Sequence, residues 1–153
     1  MCGIVGLFLK DKSLEADLGR MLSEMLVTMT DRGPDSAGIA VYNEHQAGLV
    51  KITVQADHPQ TDFDGLEKKL GTAIGASVKI DVRDTHAVLA MPQVSLNAAM
   101  AELRQLDPVI RIMGHGESIE IYKEVGLPET VVNRFDIVTV SYTHLRAHET
   151  TSH

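Results

Sequence analysis

A chain of 153 residues, 44% hydrophobic and 23% charged, is long enough to bury a core and too apolar to remain unfolded. Its formal charge of −7, aromatic content of 4% and lack of Trp argue against a nucleic-acid surface, which needs clustered Lys and Arg with stacking platforms. No apolar run approaches the ~20 residues of a membrane span, and Lys10, Asp11 and Lys12 end the N-terminal apolar stretch too early for a signal peptide, so a cytoplasmic protein is expected.

In chain order, Cys2 to Leu9 reads as a buried strand, short, apolar and rich in β-branched and aromatic residues. Leu18, Met21, Leu22, Met25, Leu26 and Met29 recur at three- and four-residue spacing, which predicts an amphipathic helix over roughly residues 14–30. Its methionines read as core filler. Asp31-Arg32-Gly33-Pro34-Asp35 is a turn cluster. Two strand-like runs follow, Gly38–Tyr42 and Leu49–Gln55, and the polar residues 43–48 between them suggest a hairpin. From about 57 to 113 the pattern becomes helix (Phe63–Leu70), strands (Ser77–Asp81 and Ala87–Met91), helix (Ser95–Leu106) and strand (Val109–Met113), as in a small α+β insertion. Gly114-His115-Gly116 lacks the glycine spacing and the Lys of a phosphate loop and reads as a turn between strands. Ser118–Tyr122 is a further strand, and Glu129–Phe135 a helix with Pro128 at its start. Ser141–His153 has almost no apolar periodicity and is expected to be disordered.

Cys2 is the one cysteine, which excludes an internal disulfide and a Cys-based zinc site. Its position matters more. Removal of Met1 leaves a residue that bears both a thiol and a free α-amine, and that amine can take the thiol proton directly or through a water. With reference pKa values of about 7.7–8.0 for the amine and about 8.5 for the thiol, both groups are usable near neutral pH. The alternative is a small hydrophobe opening a core strand. Cys2-Gly3-Ile4-Val5-Gly6 sets glycines beside the thiol, where a substrate must approach the backbone closely.

Cys2-Gly3-Ile4, followed some thirty residues later by Arg32-Gly33-Pro34-Asp35-Ser36-Ala37-Gly38, resembles the class II glutamine amidotransferases, which are N-terminal-nucleophile hydrolases. Thr30–Gly38 and Ile119–Phe135 are similar to the glutamate-synthase-related amidotransferase subunits, and the resemblance covers residues 1–137. It implies an incomplete αββα sandwich over residues 1–139, with a ferredoxin-like α+β insertion at about 57–113. It gives Cys2 the attack on the glutamine amide, with a thioester intermediate and ammonia passed to a separate synthase subunit. Arg32 and Gly33 fall where the family braces the nucleophile end of the site, and Asp35 and Ser36 are expected to hold that loop through side-chain-to-backbone hydrogen bonds. No metal or organic cofactor is implied.

The same comparison shows what is missing. The family's oxyanion hole contains an Asn-Gly pair, but the three Asn residues here precede Glu44, Ala98 and Arg134. Absent oxyanion donors cost about 10²–10³ in rate. The family's later His-Thr-Arg segment, whose arginine clamps the glutamine carboxylate, is absent as well, and so are the remaining substrate-binding residues. This chain is therefore expected to be a weak or inactive glutaminase. SYTHLRAHET, within residues 140–153, resembles translated sequencing-adaptor read-through and is expected to be a non-native tail. Arg146 lies near the position of the missing arginine without its motif, and His144 and His148 do not follow the zincin order. The rival reading is a non-catalytic module whose α+β insertion binds a small molecule or a partner chain.

Overall fold

The structure, a computed structural model, describes all residues except 1–2, 33–34, 43–45, 140–143 and 151–153, and only the backbone of 139 and 144–150. In chain order the elements are β1 (Gly3–Phe8), α1 (Leu18–Thr28), β2 (Ser36–Tyr42), β3 (Leu49–Ala56), α2 (Pro59–Asp62), α3 (Leu66–Ile74) and β4 (Lys79–Arg83). There follow β5 (His86–Pro92), α4 (Leu96–Arg104), β6 (Ile110–Gly116), β7 (Ile119–Val125), α5 (Pro128–Arg134) and β8 (His144–Thr150). The chain is α+β, as expected, with two four-stranded sheets ordered β1-β8-β2-β7 and β4-β5-β3-β6. It divides into two compact units, Met1–Glu44 with Ile121–His153, and His45–Glu120.

In the first unit, α1 packs against the sheet through Leu18, Leu22 and Leu26, each at most 1% exposed. The expected helix is shorter at its start. Residues Lys12–Asp17 wind as a 3-10 segment opened by Asp11, whose side chain accepts from the Ser13 N–H, and Leu14 there is exposed. The buried apolar stripe begins only at Leu18, and no residue of Lys12–Asp17 is itself buried. Met21, Met25 and Met29 are half-buried and flank the leucine row. In β2, Ala37, Ile39 and Val41 are buried and alternate with half-buried neighbours. Strand β1 departs from the expected full burial, because Ile4 (70%) and Phe8 (63%) are exposed on the alternate face. Tyr122 of β7 and Phe135 beyond α5 are both buried, with ring centroids 5.2 Å apart.

Of the expected tail, 140–153, only the backbone of residues 144–150 is described. Their backbone forms β8, antiparallel to β1 on one side and to β2 on the other. A ladder is made by N–H and C=O groups, so a segment without a conventional apolar stripe can fill a slot between two strands. In a strand, the backbones of His144 and His148 stand about 13 Å apart rather than one helical turn.

The second unit has the order β3-α3-β4-β5-α4-β6, with α2 as an extra turn after β3. Its strand order β4-β5-β3-β6, antiparallel throughout, is the split βαβ or ferredoxin-like arrangement. Val50, Ile52, Val54 and Ala56 of β3, with Ala87, Leu89 and Met91 of β5, meet Leu66 and Leu70 of α3 and Ala99, Met100 and Leu103 of α4 in one core. Gly75, at φ +65, ends α3 in the left-handed conformation that only glycine adopts without cost.

Two expectations fail here. The hairpin of residues 38–55 does not form: β2 and β3 lie in different sheets, and β3 is the inner strand between β5 and β6. The compact unit that holds β3 runs from His45 to Glu120. Gly114-His115-Gly116 is the end of β6 and not a turn. Thr53 pairs with Gly114 and Val54 with Ile112, so Met113 is the extra residue of a bulge.

Candidate active site

Among the expected site residues, Cys2 and Gly33 lie outside the described residues, whereas Arg32, Asp35 and Ser36 are described. Their placement begins at the end of α1. The Thr28 hydroxyl donates to the Met25 carbonyl at 2.7 Å and the Thr30 hydroxyl to the Val27 carbonyl at 2.6 Å. These bonds satisfy carbonyls that a helix end otherwise leaves without partners. The chain then tightens into the 3-10 turn Thr30–Arg32, where the Arg32 N–H reaches the Met29 carbonyl at 2.9 Å. Arg32 is exposed, while Asp35 and Ser36 are half-buried.

The sheet register brings this loop and the start of β1 to one end of the sheet. Gly3 of β1 and Ala37 of β2 are both directly opposite Glu149 of β8. Two ladder spacings separate them, about 9–10 Å. Gly3 opens β1 and Ala37 is the second residue of β2, so these two strands enter the same sheet at the same level. Arg146 pairs with Gly6 and Ala40, three residues deeper along the ladder.

Sequence reasoning missed Gly126. Its N–H donates to the Asp35 carbonyl at 2.9 Å, and its φ is +137°. The signal was there, a glycine between a strand and a Leu-Pro helix start, but nothing local linked it to residue 35.

In the second unit an apolar cleft between α3 and α4 is lined by Leu66, Leu70, Ala73 and Leu106, with Lys69 and Glu102 beside them. Among the described residues, no helix is long and apolar enough to cross a membrane.

No model of a known protein family matches the chain. It is 52% identical over 144 residues to the glutamine amidotransferase-like protein GlxB of Rhizobium meliloti (strain 1021), covering 94% of this chain and 48% of that protein. It is also 29% identical over 157 residues to a protein of Methanothermobacter thermautotrophicus with the provisional name glutamine amidotransferase, covering 97% of this chain and 51% of that one. The chain is related to proteins named for glutamine amidotransfer. It spans about half the length of these relatives.

Proposed function

We propose that the chain is the N-terminal part of a class II glutamine amidotransferase, in which Cys2 hydrolyses glutamine and the ammonia passes to a partner synthase subunit. With Met1 removed, the α-amine of Cys2 takes the thiol proton and the sulfur attacks the side-chain amide carbon of glutamine. The carbon–nitrogen bond then breaks, ammonia leaves with the proton, and a thioester remains. Water attacks the thioester carbon, releasing glutamate and restoring the thiol. Arg32 and Gly33 brace the nucleophile end of the site, and Asp35 and Ser36 hold the loop.

The observation that carries this reading is the shared register of Gly3 and Ala37 on Glu149, which brings the two motif-bearing segments to one end of a sheet. The names of both relatives agree with it. The exposed Ile4 and Phe8 fit a sheet whose second covering layer, the other half of an αββα sandwich, lies in the part of the relatives this chain does not span. On this reading residues 144–150 occupy the slot that the natural continuation fills, and that continuation carries the His-Thr-Arg segment and the oxyanion donors.

The test uses the full-length protein and a glutamine-mimicking diazo-ketone. Expected are covalent mass on Cys2, its loss in Cys2→Ser, and an N-terminus without Met1. Absence of labelling in the full-length protein would favour the module reading, for which the cleft between α3 and α4 is the place to look for a small ligand.

A further inference from the structure

The corner between β7 and α5 is braced from within its own unit. Tyr122 and Phe135 pack ring to ring across it at 5.2 Å, and Arg134 reaches Glu124 at 3.5 Å. The Glu124 side chain is 15% exposed, so water screens that pair only in part. Beyond the corner, Leu127 is extended and Pro128 opens α5, which fixes the direction in which the chain leaves. Gly126 sits between these fixed points, and its single described backbone bond leads out of the corner to the Asp35 carbonyl at 2.9 Å. That bond depends on a φ of +137°, a conformation L side chains rarely adopt, although a Cβ there would meet nothing nearer than Thr130 at 4.0 Å. The requirement for glycine is conformational and not one of space.

We infer that Gly126 is a positioning residue for glutamine hydrolysis: through its bond to the Asp35 carbonyl it fixes where Asp35-Ser36 enters β2. This rests on the function proposed above. The residue touches no reacting atom. Its effect falls on the alignment of a loop, where displacement by about 1 Å costs as much as 10²-fold in rate.

The experiment measures the rate of Cys2 labelling by the diazo-ketone, and kcat and KM for ammonia release, in the full-length protein and in Gly126→Ala. Gly75→Ala serves as control for a positive-φ glycine in the other unit, at φ +65 in the left-handed region. Expected is a fall of about tenfold or more in labelling rate and kcat for Gly126→Ala. Gly75→Ala should lower thermal stability and leave the labelling rate as it was. Equal labelling rates in Gly126→Ala and the parent overturn the inference while leaving the proposed function standing. An unlabelled parent overturns both. If Gly126→Ala does not fold, Glu124→Gln loosens the same corner, and an unchanged labelling rate there sinks the inference.

Discussion

Lys51 and Glu120 show what one side chain can cost when its partner is removed. Lys51 Nζ lies 2.8 Å from Glu120 Oε1, and the Glu120 side chain is 4% exposed. Lys51→Met leaves that carboxylate buried without its ammonium, a loss of about 3–5 kcal/mol, and Lys51→Met with Glu120→Leu should recover most of it. Urea denaturation of the two variants decides this; equal losses would mean the pair is not the cause. Asp57 is an exposed counterpart. Hydrogen bonding from Arg111, at 2.8 Å, holds its carboxyl below the ordinary carboxylate range. A lowered folded-state pKa adds stability above the unfolded value near 4 and loses it as pH falls towards the folded value. The stability gap between the parent and Arg111→Ala should therefore narrow as pH drops below about 4, which melting temperatures across that range will show. Arg32 is exposed, so Arg32→Ala should change stability by under about 0.5 kcal/mol while slowing Cys2 labelling in the full-length protein.

At the scale of elements, α1 divides its apolar residues by depth. Leu22 is fully buried, and Leu22→Ala should cost about 2–5 kcal/mol, whereas half-buried Met25→Leu should cost under about 1.5. Thermal unfolding of both variants tests the ranking. The leucine row was legible because a helix repeats its face every three to four residues. The start of the helix was not, since Asp11 and Ser13 favour a tight turn before any residue can reach the core. For β3 the alternation of Val50, Ile52 and Val54 announced a strand and said nothing of its neighbours. A hairpin with β2 and a central place between β5 and β6 demand the same pattern. Strand β8 has no such periodicity to read: its register with β1 and β2 is made by backbone groups that every sequence carries.

For the whole molecule, the second unit has its own core and a closed βαββαβ path, so residues 45–120 alone should give one cooperative unfolding transition. A broad, non-cooperative melt would refute this. The face of β1 that bears the exposed Ile4 and Phe8 should bind a hydrophobic dye, and Ile4→Ser with Phe8→Ser should suppress that binding. The amino-acid order by itself determined the α+β class, nearly every strand and helix, and the two motifs that name the candidate site, because periodicity and turn chemistry act over a few residues. Only the tertiary structure decided that β3 belongs to the second sheet, that Gly3 and Ala37 stand level on Glu149, and that Gly126 holds Asp35. Those relations join residues far apart in the chain through backbone hydrogen bonds, and a backbone hydrogen bond has no side-chain signature to read.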